Sequence, residues 1–137
     1  MRLLLVPGTS PDRWARVWAQ RLPDDPLDVV HADPAAAVDA VHAFLPDPRP
    51  KARHHKRRLV QPAHDALLRD RLRVGGTLHV ATDWADYAAQ MVDVLTGDPY
   101  LDGGVVERPA HRPVTRFEQR GLDLGHEVTD VVVRRVR

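Results

Sequence analysis

Three prolines at alternate positions, Pro46, Pro48 and Pro50, close the apolar run of residues 41–45. Each lacks an amide hydrogen and biases its predecessor toward extended backbone, so neither a helix nor a central strand can run through them. Residues 41–45 are therefore expected to end a strand, and the chain to leave it by an irregular exit. Asp47 stands inside that exit on a backbone with little freedom, where a carboxylate can be held in a fixed place. A plain turn aspartate would look the same.

The next eight residues, Lys51-Ala52-Arg53-His54-His55-Lys56-Arg57-Arg58, carry five permanent positive charges and no acid. From Pro48 to His64 there are six Lys/Arg against no Asp/Glu, so the formal net charge of +1 conceals a basic block on an acidic body. Such polarity points to nucleic acid or phosphate as partner. A solvated basic loop is the plainer alternative, but periodic apolar segments flank the block on both sides.

With 137 residues, 43% of them hydrophobic, the chain is long enough for about one globular domain. Its apolar runs fall short of the about 18–20 residues a membrane span needs, and the opening Met1-Arg2-Leu3-Leu4-Leu5-Val6 stops at Pro7-Gly8, too short for a signal-peptide core. A cytoplasmic protein is the expectation. There is no cysteine, which excludes disulfides, thiolate catalysis and Cys-based zinc sites. The histidines give no metal motif, because His54 and His55 are adjacent and His64, His79, His111 and His126 are scattered. No metal is expected.

Along the chain, residues 2–6 read as a short buried strand closed by Pro7-Gly8-Thr9. Ser10 can then cap a helix starting at Pro11, with Trp14, Val17, Trp18 and Leu22 on one face. Residues 27–30 read as a second strand, and Asp33-Pro34 repeats the cap-plus-proline signal for a helix over 35–41. That helix collides with the strand ending at Leu45, as though two unrelated segments met here. Pro62 suits a helix start, with Leu68 and Leu72 inward and Gly75-Gly76 as the stop, followed by a strand over 77–82. Asp83 is expected to cap the next helix, whose buried face is Tyr87, Met91, Val94 and Leu95 and whose end is Gly97-Asp98-Pro99. Residues 101–112 read as a loop, 115–120 as one helical turn, and 127–136 as a final strand. Strands alternating with helices imply an α/β fold on a mostly parallel sheet, with ligands outside the carboxyl ends of the strands, where Asp47 and Asp83 fall.

A guanine would suit two such carboxylates. Its N1 and N2 hydrogens can be accepted by a carboxylate while N7, with an in-plane lone pair, stays free to attack an electrophile without a strong base. Several segments together carry a family resemblance. Pro46-Asp47-Pro48 leads into Lys51 to Pro62, Gly75-Gly76 precedes Leu78-His79, and Ala81-Thr82-Asp83-Trp84 follows. Arg112-Pro113-Val114-Thr115-Arg116-Phe117-Glu118 and Leu124-Gly125-His126 close the series. Over residues 41–137 this resembles the C-terminal half of the bacterial tRNA (guanine-N7)-methyltransferase family.

The resemblance implies a partial Rossmann-like class I methyltransferase sheet with a final β-rich segment. It implies S-adenosylmethionine as cofactor and tRNA as substrate. Asp47 would be the catalytic carboxylate beside the cofactor. Lys51, Asp83, Thr115, Arg116, Phe117 and Glu118 would form the substrate site, and Arg53, His54, His55, Lys56, Arg57 and Arg58 would track tRNA phosphates. Thr115 with Glu118 three residues on is equally a helix capping box.

Two departures stand out. Arg49 occupies the position where the family has Trp after Pro-Asp-Pro, and no Gly-rich loop precedes Asp47 to cradle the cofactor. Residues 1–40 instead resemble, more weakly, a strand-helix-strand piece of the effector-binding domain of LysR-type regulators, which sets a division between 1–40 and 41–137. A cofactor-impaired methyltransferase is expected. The rivals are a non-catalytic RNA-binding module using only the basic run, and a regulator fragment.

Overall fold

The computed structural model of the chain describes residues 2–5, 28–29 and 37–137. They form a six-stranded sheet of order β2-β1-β3-β4-β6-β5, with β1 Arg2–Leu5, β2 Asp28–Val29, β3 Val38–Phe44, β4 Leu72–Thr82, β5 Leu101–Val106 and β6 Thr129–Arg135. β1, β2, β3 and β4 pair in parallel, while β6 is antiparallel to both neighbours. Helix α1 spans Pro62–Arg71, α2 Ala85–Gly97 and α3 Arg116–Asp123, and a 3-10 turn covers Ala52–Arg57. The alternating α/β reading and the mostly parallel sheet are thus observed. The helix expected from Ser10 to Leu22 lies outside the described residues.

Side chains of neighbouring strands sort onto two faces because the pleat has a period of two. The pairs Val41–Leu78, Ala43–Val80, Val80–Val131 and Leu78–Val133 share one face. Tyr87, Met91 and Leu95 of α2 and Val60 close over it as the hydrophobic core. The pairs His42–His79 and Ala81–Asp130 share the opposite face.

The structure corrects four sequence readings. The helix expected over 35–41 is a strand from Val38 onward, so the conflict at residue 41 resolves in favour of β3. Its buried neighbours override the helix-start signal of Asp33-Pro34, whose own residues lie outside the described set. α1 ends at Arg71, and Gly75-Gly76 lies inside β4. There the register with β3 shifts, and a Cβ on Gly76 would sit 2.9 Å from the carbonyl oxygens of Arg73 and Asp39, so Gly76 permits a close strand crossing. The loop expected over 101–112 opens with β5, and Gly103 lets its backbone close on Val132. This strand owes its form to pairing with β6, since Gly-Gly carries poor strand propensity. Finally, Trp84 takes the N-cap place expected for Asp83, with no side-chain cap bond, and its amide donates to Thr82 Oγ1 at 3.2 Å.

Candidate functional site

The chain passes from β1 to β2 on one side and then to β3 on the other, so the sheet has its topological switch between β1 and β3. In open α/β sheets the ligand crevice lies outside the carboxyl ends of such strands. Asp47 follows the end of β3 and Asp83 the end of β4, on neighbouring strands.

Two non-glycine residues in the left-handed region bracket the Pro-Asp-Pro exit, Leu45 at φ 53° and Arg49 at φ 43°. Such a conformation costs about 1–3 kcal/mol and persists where surroundings enforce it. The Leu45 amide donates to Ala81 O at 2.8 Å, tying the exit to β4. The Arg49 amide donates to Asp47 Oδ1 at 2.9 Å, and its Nε lies 3.4 Å from Oδ2. Asp47 is exposed, and the arginine that departs from the family pattern is its counter-ion.

The basic run forms the 3-10 turn, with Lys51 at its N-cap and Lys51 O accepting from the His54 amide at 2.8 Å. Lys51, Arg53, Lys56 and Arg57 are exposed, and His54 and His55 are half-buried. Arg58 departs from the expectation that it contacts phosphate. It is only 2% exposed. Its Nε donates to Pro48 O and one terminal nitrogen to Gln90 Oε1, both at 2.7 Å, and the other binds both Asp86 oxygens at 3.0 Å. The guanidinium also lies 4.8 Å from the centre of the Tyr87 ring. Every nitrogen is engaged inward, so Arg58 anchors the turn.

Asp83 Oδ2 faces His126 Nδ1 at 3.3 Å and would lie 3.2 Å from a Cβ on Gly121, so α3 packs directly beside it. Thr115 caps α3, its hydroxyl accepting from the Glu118 amide at 3.2 Å. Arg116 is exposed, and Phe117 lies in the first turn. Glu118 corrects the remaining expectations for this segment. It does not reach back as a capping box, because both carboxylate oxygens are held by Arg112 at 2.6 and 2.9 Å, and the side chain is 2% exposed.

Sequence reasoning missed what lies behind that pair. Arg112 also donates to both oxygens of Asp130, at 2.6 and 2.8 Å, and His79 Nε2 lies 2.7 Å from Asp130 Oδ2. Burial opposes the charge on Asp130, but bonds from His79 and Arg112 outweigh it and hold the carboxyl below its usual range. Burial likewise opposes the Arg112 charge, and Glu118 and Asp130 more than offset it. His42 stacks on Phe44 at 5.0 Å between centroids and lies 5.7 Å from His79 and 6.2 Å from His111. Burial first, then the two other imidazoles, pushes His42 down to about 3. The histidines that looked scattered are thus in part gathered. The one signal for this was a single histidine among the apolar residues of each strand's second half, His42 in β3 and His79 in β4.

A family model described as "Putative methyltransferase" matches residues 23–131. The chain belongs to this family. A tRNA (guanine-N(7)-)-methyltransferase of Nitrosospira multiformis is 56% identical over 115 residues, which cover 81% of this chain and 50% of that protein. One of Cupriavidus metallidurans is 57% identical over 105 residues, covering 72% and 40%. The chain thus spans about half the length of the curated relatives it matches. Among solved structures, an rRNA methylase from Streptococcus thermophilus superposes with TM-score 0.54 at 12% identity, over 99% of this chain and 87% of that one. A SAM-dependent O-methyltransferase from Thermotoga maritima gives 0.50 at 13%, over 99% and 59%. These share the methyltransferase fold that the resemblance implied. Membership in this methyltransferase family directs attention to the carboxyl ends of β3 and β4, followed by Asp47 and Asp83, with α3 packed beside Asp83.

Proposed function

We propose that this chain carries the guanine- and tRNA-facing part of a tRNA (guanine-N7)-methyltransferase, acting in the cytoplasm with S-adenosylmethionine as methyl donor. The observation that carries the reading is the placement of Asp47 at the sheet's switch point, beside an exposed basic turn, in a chain more than half identical over its matched span to proteins of that name. The division at residue 41 belongs to the same proposal, with 41–137 supplying these groups.

Phosphates of tRNA meet Lys51, Arg53, Lys56 and Arg57, with His54 and His55 beside them, and this contact sets affinity and register without reading sequence. Arg58 holds the turn in place from within. Asp83, with Lys51, Thr115, Arg116 and Phe117, receives the guanine, whose Watson-Crick edge offers paired donors to a carboxylate. N7 needs no deprotonation, so the protein's task is alignment and exclusion of water.

S-adenosylmethionine, when bound, supplies the sulfonium methyl. Asp47 fits the cationic end of that group, being an exposed carboxylate on a braced exit at the crevice. The sequence Val6-Pro7-Gly8-Thr9 contains one glycine where a phosphate- or ribose-cradling loop uses several, so this chain holds the cofactor weakly.

The test is tRNA binding across a salt series. Each phosphate contact contributes a slope of about −0.7 to −0.9 in log K against log salt, so replacing Arg53, Lys56 and Arg57 together with Ala weakens binding and lowers the slope by about 2–3. An unchanged slope removes the turn from the interface. In parallel, the chain mixed with S-adenosylmethionine and tRNA yields negligible 7-methylguanosine. Joined to a family-type N-terminal half ahead of Val41, it methylates, and Asp47→Ala abolishes that activity.

A further inference from the structure

We propose that His42, His79 and His111 bind one first-row divalent cation, Zn²⁺ by its donor set, which fastens the loop ahead of α3 to β3 and β4. The register places His42 directly opposite His79 on one face of the sheet, and His111 enters from the loop above. One nitrogen from each ring lies within 4.8 Å of the other two. Tetrahedral zinc, with nitrogens at about 2.0–2.1 Å, needs them about 3.3 Å apart. His111 is exposed and loop-borne, and small rotations of the three rings would bring the nitrogens to that spacing.

The second observation is His79. An ionised carboxylate only accepts, so the 2.7 Å contact with Asp130 places the proton on Nε2 and leaves the lone pair of the neutral ring on Nδ1. That Nδ1 is buried and, among the described residues, has no hydrogen-bond partner. A buried polar atom without a partner calls for an explanation, and a cation is one. Carboxylates behind ligating histidines are the common outer shell of such sites, fixing tautomer and ring orientation. Asp130 is itself held by Arg112, which is also clamped by Glu118. With two acids against one arginine, this network offsets part of the cation's charge. Three imidazoles and no acid in the inner set select zinc, copper, nickel or cobalt over magnesium or calcium.

The experiment titrates chelator-treated full-length chain with Zn²⁺ by calorimetry and with Co²⁺ by visible absorption. The expected result is one equivalent bound, with cobalt bands of tetrahedral type. His111→Ala should weaken binding by more than the about 10–100-fold that loss of an outer-shell partner costs. His42→Ala should do the same, and metal-free melting of both variants, read alongside, should show each still folded at the titration temperature. The double change His54→Ala/His55→Ala should leave binding intact. Equal affinity in His111→Ala, loss of binding with the His54/His55 pair instead, or absence of saturable binding by either ion would each overturn the site.

Discussion

The two faces of the central sheet are built from alternate residues of the same strands, yet they cohere by different means. Val41, Ala43, Leu78, Val80, Val131 and Val133 meet α2 through burial alone, which is non-directional and forgiving of small shifts. His79 and Asp130 join Arg112 and Glu118 through charge-assisted bonds that work only when every partner is present. The first face makes the domain stable. The second fixes where the loop and α3 stand above the carboxyl ends of β3 and β4, where position matters for chemistry.

The largest expected effect is on the polar face. Arg112→Ala leaves Glu118 and Asp130 buried without a counter-charge and should cost about 3–5 kcal/mol in urea denaturation at neutral pH. A cost below about 1 kcal/mol would erase the distinction between the faces. On the aliphatic face, Leu78→Ala should cost about 2–5 kcal/mol, and the loss should be insensitive to salt and pH because no charge is involved. Thr115→Ala removes the cap of α3 and should cost about 1 kcal/mol, read as earlier loss of α3 protection in hydrogen exchange.

The smallest effect lies in the helices over the aliphatic face. A groove of about 460 Å³ between α1 and α2, lined by Asp65, Arg69, Asp93 and Asp98, opens near the amino end of β5, away from Asp47 and Asp83. Burial, then the neighbouring Asp98, raises the Asp65 carboxyl to about 7, while Arg69 pulls the other way. The folded state therefore holds a proton that the unfolded chain has released. The stabilisation is full below the ordinary aspartate value and is lost as pH rises through about 7. Asp65→Asn should flatten the fall in melting temperature between pH 4 and 8. A fall as steep as the parent's would assign it to another group.

Much of this was legible before any coordinates. The prolines after Leu45 marked the end of β3, the strands expected over 77–82 and 127–136 correspond to β4 and β6, and Tyr87, Met91 and Leu95 are buried on α2 as their spacing requires. β5 was not legible, because Gly103 and Gly104 form a strand only through pairing with β6. At the site, Asp47 and Asp83 follow from strand ends and turn chemistry, which are local. The inward engagement of Arg58 and Glu118 was not legible, since sequence reports a charge but not that Asp86 and Arg112 stand opposite it in the fold. The gathering of His42, His79 and His111 was invisible for the same reason, as no local spacing encodes a contact between strands.

Arg58 has a mechanical consequence. Its guanidinium joins Pro48, next to Asp47, to Gln90 and Asp86 on α2, while its own backbone ends the basic turn. The platform that would receive a polyanion and the pedestal of the acid that would meet the cofactor therefore share one rivet. The turn therefore cannot shift without dragging the acid along. If the proposed function holds, the distance from backbone phosphate to reacting base would be set by this single buried cation rather than by the exposed arms of the turn.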